Sequence, residues 1–450
     1  MAAIARPVLT PAPARTAAGL VALALVAAVA VYSSRWGSDF TLFWVFGLAF
    51  GLVLQRSRLC FASAFRDLFL FGASPTLRGI LVGMAAAAAG FALLESKMVA
   101  RPGLGVLPPE AHLFPLGWHL VVGGVVFGIG MVLAGGCVSG TLYRMGEGYG
   151  ASYAAFAGIL AGLGLAAHTW NFWWERSIGR GRPIWLPEYL GYGGALVATL
   201  GGLAAVWVLL EFREAKGRAA LAAAGLPSPI AVSPGPPAVS GLPPAGVAPV
   251  GAGASTALAG SGPAALPASV AVREALREQL RQLLGALFRR GWPVLVGGLL
   301  LGVLNVYVYL AHMPLGLTGE LSRWSLKLLD AVGWSPGPLL GADQLPGCTL
   351  VMGGSSLISH SLMLDAGLVA GSLTSALLAG EFRWRRPPRR RWWQAAGGGV
   401  LMGYGAGIAG GCTIGAFFSA IPSLGLNGWV FGLSLLAGAA LGTRLVRRLA

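Results

Sequence analysis

Ala134-Gly135-Gly136-Cys137 and Ala409-Gly410-Gly411-Cys412 are the same four residues, 275 positions apart. The match extends upstream. Gly124-Val125 with Gly128 and Gly130 lines up with Gly399-Val400, Gly403 and Gly405, and Trp118 with Trp393. A second register, offset by 288, sets Cys60 against Cys348 and Gly83 against Gly371. The difference between the registers fits a longer loop around Glu95 to Gly117 in the first half. All four cysteines of the chain therefore fall into one duplicated pattern. An internal repeat sets the architecture before any local reading, and in transporters the site lies where the repeats meet.

Composition makes this a membrane protein. The chain is 56% hydrophobic and 11% charged, with mean hydropathy +0.72, beyond what a soluble fold of this length requires. The net charge of +16 could suggest nucleic acid. The arginines instead cluster at the ends of apolar segments, as the positive-inside rule expects. Apolar stretches long enough to span fall near residues 17–33, 39–54, 76–94, 117–134, 151–168, 188–210, 292–311, 358–379, 394–410 and 424–443. The first resembles a signal peptide, but it lacks a small-x-small cleavage site and is expected to remain as a helix.

The predicted organisation follows: an N-terminal transmembrane helix over 1–36, a first membrane repeat over 37–210, a disordered linker over 211–272, an amphipathic helix over 273–290 and a second repeat over 291–450. The stretch from Ala219 to Val272 has no charged residue and is built of Ala, Pro, Gly, Ser and Val, which cannot form a packed core. Its repeated prolines exclude a spanning helix. Arginine placement predicts both termini on the cytoplasmic side and the two repeats in opposite orientation.

The expected fold is an all-α polytopic membrane protein, an inverted internal repeat with short Cys-bearing re-entrant helices. Those elements begin at or near Cys60, Cys137, Cys348 and Cys412. Each is too short to cross, and interrupted backbone at that depth needs protein or water around it. Helix N-termini aimed at the membrane centre present free N–H groups and suit an anion.

A buried cysteine is commonly a small hydrophobe. Four at duplicated positions, three of them directly after a glycine, point instead to a path ringed by thiols, which match a sulfur-bearing anion better than a hard oxyanion. Neither Cys-x-x-Cys nor a ligand spacing among the histidines predicts a metal, and nothing predicts a cofactor. Gly136 and Gly411 belong to small-residue faces that pack helices closely. Arg56 and Arg58 are expected to anchor the cytoplasmic face. Arg66 with Asp67, and Arg144 with Glu147, are expected as charge pairs at a vestibule that gathers anions. Asp343 and Gln344 are candidates for the opposite vestibule.

The run Leu54-Gln55-Arg56-Ser57-Arg58-Leu59-Cys60-Phe61-Ala62-Ser63-Ala64-Phe65-Arg66-Asp67 resembles the first signature of the YeeE/YedE family of bacterial sulfur-compound transporters. So do Ala134-Gly135-Gly136-Cys137-Val138-Ser139-Gly140-Thr141-Leu142-Tyr143-Arg144-Met145-Gly146-Glu147-Gly148 and Ala409-Gly410-Gly411-Cys412-Thr413-Ile414-Gly415. The resemblance implies thiosulfate import through an hourglass-shaped, pseudo-symmetric fold in the bacterial inner membrane. Cys60, Cys137 and Cys412 would be the path thiols; Cys348 matches the pattern more loosely. It also implies a separate small SirA/TusA-like sulfur-carrier partner, since the chain carries no such domain.

A non-enzymatic permease is therefore the expected function. No Gly-x-x-x-x-Gly-Lys-Ser/Thr run would couple it to ATP. The alternatives are a membrane sulfurtransferase that forms a cysteine persulfide, and a transporter of another anion or of selenium compounds.

Overall fold

The computed structural model describes residues 13–103, 105–223, 291–345, 350 and 358–449. Cys348, most of the linker and the 273–290 helix lie outside these residues. The described part is helical: α1 Pro13–Ser33, α2 Ser38–Ser57, α3 Phe61–Leu70, α4 Pro75–Met98, α5 Trp118–Ala134, α6 Val138–Gly146, α7 Gly150–Trp173, α8 Leu186–Ala223, α9 Val294–Ala311, α10 Thr318–Ala331, α11 His360–Leu378, α12 Arg389–Ile408 and α13 Leu426–Leu449. A π-helical turn, Trp174–Ile178, extends α7, and another, Thr413–Ser419, follows α12. Among the described residues eight helical segments are long and apolar enough to cross a membrane. The pair α12 and Thr413–Ser419, bent by 49°, makes a ninth if it is one span. The chain is thus a multi-pass, all-α membrane protein.

Every expected span falls on a helix. Two of the expected re-entrant elements differ in form: α3 continues the span of α2, and α6 that of α5, within single apolar segments Ser38–Leu70 and Trp118–Gly146. Helix α10 is unanticipated, because its polar run from Thr318 to Ala331 gives no hydropathy signal. Helix α8 carries on past residue 211, where the linker was expected to start. Arg78 on α4 holds that extension through Glu211 at 3.0 Å and through Glu214, and the Ser74 hydroxyl donates to Glu214.

The duplication is visible in how helices choose partners. Helix α2 packs on α11, while α9 packs on α4; α7 packs on α12, while α13 packs on α5; α5 and α12 pack on each other. Exchanging α2 with α9, α4 with α11, α5 with α12 and α7 with α13 maps each contact onto another. Each repeat therefore buries its main helices against the other repeat. Backbones approach closely along these seams, where glycine leaves no side chain. A Cβ on Gly403 of α12 would lie 2.9 Å from the Leu163 amide nitrogen of α7 and closer still to the Ile159 carbonyl.

Arginine side chains mark one side of the bundle. There the Arg383 and Arg385 amides donate to Glu147 and Gly148 carbonyls, tying the turn after α6 to the segment before α12. At the opposite side, Leu186 and Leu424 are joined by a backbone bond of 2.9 Å.

Overfilling this seam should cost about 1–3 kcal/mol. We expect Gly403→Leu to lower the melting temperature in detergent. Gly397→Leu, on the same helix with open space around it, should leave it unchanged.

Candidate functional site

The duplicated Ala-Gly-Gly-Cys motif is a helix break. Helix α5 stops at Ala134 because Gly135 adopts φ +79, and its N–H bonds back to the Met131 carbonyl at 3.0 Å. In the second half Gly410 has φ +71 and Gly411 φ +155. Side chains other than glycine rarely take these conformations. Cys137 and Cys412 then return to extended backbone and start the next element. Their carbonyls accept the Thr141 and Ala416 amides at 2.7 and 2.8 Å. Cys60 does the same for α3: its carbonyl takes the Ala64 amide at 3.0 Å and the Ser63 hydroxyl at 2.8 Å. All three thiols are free and buried.

Two of these sulfurs converge. A Cβ on Gly140, one turn into α6, would lie 2.8 Å from Cys60 Sγ and 3.3 Å from Cys137 Sγ. The two sulfurs therefore lie on either side of one point, with no residue between them. Cys137 Sγ also accepts the Gly140 amide at 3.3 Å and lies 3.3 Å from Ser139 Oγ. A side chain at position 140 would drive between the sulfurs, so glycine there is what lets them meet. Around them are the starts of α3 and α6, ten and nine residues long.

The broken end of α5 is held by cations. Arg391 donates to the Leu133 and Ala134 carbonyls at 2.9 and 3.1 Å, and Arg144 donates to the Gly135 carbonyl. Cations on exposed helix C-terminal carbonyls are favourable. Arg144 is also close enough to Cys60 and Cys137 to place positive potential on both.

On the arginine-rich side of this pair lies a cavity of about 120 Å3, lined by Arg58, Tyr143, Arg144, Glu147, Tyr149, Glu381 and Arg385. That is room for a few waters or one small anion. The expected Arg144–Glu147 pair does not form, because Arg144 is committed to Gly135 and Glu147 accepts from Gln55 Nε2 at 3.3 Å. Burial raises the Glu147 carboxyl above its ordinary range. Arg66 pairs with Asp67 at 2.9 Å, half-exposed and away from the cavity lining.

Arg56 and Arg58 also differ from expectation. Both lie 3.5 Å from Glu381, and Arg56 is 2% exposed. Arg56 is thus the buried partner of a carboxylate and not a headgroup anchor, while the Arg58 side chain is 74% exposed. Gln55 completes the knot, donating to Glu381 at 2.8 Å and accepting from Ser375 at 2.7 Å.

Cys412 lies elsewhere. Its thiol makes no capping hydrogen bond, and the backbone of Gly415, Ile414 and Leu317, the last just before α10, lies near it. Thr413 is buried, and its hydroxyl has no partner among the described residues. Beside them Glu320 holds Arg323 at 2.6 Å and accepts from Ser359 at 2.6 Å. Asp343 is exposed in a short 3₁₀ turn. Gly136 lies against the start of α6, its Cβ position 3.6 Å from Arg144 Nη1, and Gly411 against Ala416. Sequence reasoning missed Gln55, Gly140, Glu320 and Glu381. Of these, Glu320 carried a signal, an acid three positions before Arg323 on one helix face.

A sequence model of the family described as Sulphur transport matches residues 56–441. The chain is 29% identical over 415 residues to the thiosulfate transporter TsuA of Spirochaeta thermophila, covering 87% of this chain and 94% of the relative. It is 26% identical to the Escherichia coli protein of that name, over 85% and 88% of the two chains. It is 37% identical to the probable transporter YedE of Escherichia coli over 128 residues, 28% of this chain and 29% of the relative.

Removing one partner of a buried ion pair costs about 3–5 kcal/mol, and less where solvent reaches the pair. Glu381 is about one-third exposed. Glu381→Gln should therefore cost about 2 kcal/mol by leaving Arg56 unpaired. Arg58→Ala, at a side chain 74% exposed, should cost under about 1 kcal/mol. Thermal unfolding of the two purified variants checks the order.

Proposed function

The chain belongs to the Sulphur transport family, and on that premise we propose that it passes thiosulfate, or a closely related small sulfur anion, across the bacterial inner membrane. The observation that carries this reading is the meeting of Cys60 and Cys137 at Gly140, above an arginine-lined cavity. The relatives named thiosulfate transporters, matched over most of their length, support it.

A dianion in a low-dielectric interior is costly unless donors replace its water. Along this path the replacements are ordered. Cys412 would offer a buried sulfhydryl at the break after α12. Cys60 and Cys137 would offer two more beside the N-termini of α3 and α6. Arg144 adds a full charge, and Arg58 and Arg385 receive the anion in the cavity beyond. A thiol is a weak donor with a polarizable sulfur. Weak donors in series suit transport, since a site has to be left as readily as it is entered. The arginine-rich side would face the cytoplasm, with both termini there, and the direction would be import.

Downstream, a small sulfur carrier of the SirA/TusA kind would take up the product. The basic stretch Arg383, Arg385, Arg386, Arg389 and Arg390 is the natural face for an acidic partner.

A hydrogen bond to a charged group contributes about 1.5–3 kcal/mol. Cys60→Ala, Cys137→Ala and Cys412→Ala should each lower uptake of labelled thiosulfate roughly tenfold or more, at unchanged protein level in the membrane. Undiminished uptake would end the thiol-path reading. In the sulfurtransferase reading, a cysteine thiolate attacks the outer sulfur of thiosulfate, becomes a persulfide and releases sulfite. Intact-mass measurement after incubation with thiosulfate separates the two. Transport leaves the mass unchanged; a gain of one sulfur atom would favour the enzyme.

A further inference from the structure

Four carboxylates are buried among the described residues: Glu95, Glu214, Glu320 and Asp365. Three have donors. Glu95 accepts from Trp185 at 3.2 Å. Glu214 accepts from Ser74 and Arg78. Glu320 accepts from Ser359 and holds Arg323. Asp365, on the membrane-spanning helix α11 and 5% exposed, has a hydrogen-bond partner on neither oxygen among the described residues. Its neighbours make an isolated charge there worse. Glu320 on α10 acts on it with like charge, and Cys412, in the turn after α12, lies within electrostatic range of its carboxylate. Among the other charged groups on elements packed against α11, Lys327 and Asp330 lie in the second half of α10, and those of α2 and α6 lie towards the ends of α11. Asp39 of α2 is near His360 at one end; Arg56 of α2, with Arg144 and Glu147 by α6, is at the other. Arg323 is engaged with Glu320.

An ionisable group inside a membrane and without a partner is a functional site by default. It persists because some step of a cycle supplies what it lacks. Here the missing partner is a hydrogen ion, for two reasons. The site offers no cluster of ligands for a metal ion among the described residues. The thiol within its electrostatic range, Cys412, is one that would receive the anion. An ionised Asp365 would repel a dianion at Cys412; a neutral one would not.

We propose that Asp365 is a proton-coupling site, so that the anion reaches Cys412 only with Asp365 protonated and the two cross together. This rests on the anion-permease reading above and adds its energy source. The proton binds the carboxylate from the medium on the Cys412 side and leaves to the arginine-rich side after the anion has moved on. No covalent bond to sulfur forms. One proton per dianion leaves one net negative charge moved per cycle, so a potential positive on the arginine-rich side should speed uptake.

The test uses the full chain in proteoliposomes with labelled thiosulfate. With acid outside, the wild type should accumulate thiosulfate several-fold above its level without a pH difference. Adding thiosulfate should acidify the lumen, read by an entrapped pH dye. Asp365→Asn should lose both responses yet keep exchange of internal for external thiosulfate when no gradient is imposed. Asp365→Glu should regain part of the gradient response. Gradient-driven accumulation by Asp365→Asn equal to wild type would overturn the proposal. So would a wild type that responds to a sodium gradient but not to a proton gradient. If Asp365→Asn does not fold, lumen acidification by the wild type still decides: none would overturn the proposal. Absence of exchange in the wild type would instead sink the permease reading.

Discussion

A helix interrupted inside a bilayer exposes backbone N–H and C=O groups that lipid cannot satisfy, so breaks survive only where protein encloses them. This chain makes three such breaks among its described residues, each beside a cysteine. The arrangement of the rest follows from the need to enclose them. Helices of one repeat pack on helices of the other: α2 on α11, α9 on α4, α7 on α12, α13 on α5. The broken ends thereby lie between repeats, not at the lipid face. The carbonyls freed at the end of α5 are taken by Arg391 and Arg144. Cys60 and Cys137 stand at the starts of α3 and α6, where the Gly140 amide donates to Cys137 Sγ. The same break that costs backbone hydrogen bonds therefore creates the positive, donor-rich spot an anion needs.

Charge is distributed along the path in a way that separates gathering from holding. The cavity on one side combines Arg58, Arg144 and Arg385 with Glu147 and Glu381. The carboxylates keep it from becoming a trap, since Glu381 engages Arg58 while Arg144 is turned to Gly135. Cys60 and Cys137 lie next to Arg144. Around Cys412 the balance reverses: the charge that acts on it is the acid Asp365, itself within range of Glu320, with Arg323 already paired. An anion moving from there toward the arginine-rich side goes from negative surroundings to positive ones.

Much of this was legible in the sequence, and the reason is the duplication. Ala134 to Cys137 and Ala409 to Cys412 repeat a motif whose glycines have one physical purpose, a left-handed stop followed by a new start, so the breaks could be placed without a structure. The spans were legible from hydropathy for the same kind of reason, a local signal. What stayed hidden depends on distant parts of the chain. Glu381 meets Gln55 across 326 positions, and nothing local distinguishes Arg56 as its buried partner from Arg56 as a headgroup anchor. Gly140 looks like one more small residue in α6 until Cys60 arrives from another helix. Helix α10 carries too little apolar surface to announce itself, yet it brings Leu317 and Glu320 to the second thiol.

The central claim is that the sulfhydryls at the helix breaks hold the transported anion. It is tested most directly by a structure of the protein determined with thiosulfate present. The account predicts density for one two-sulfur anion with its terminal sulfur against Cys60 and Cys137, or against Cys412, and no covalent link to either. Thiosulfate bound only among Arg58, Arg144 and Arg385, with all three thiols still packed on their present protein neighbours, would contradict it.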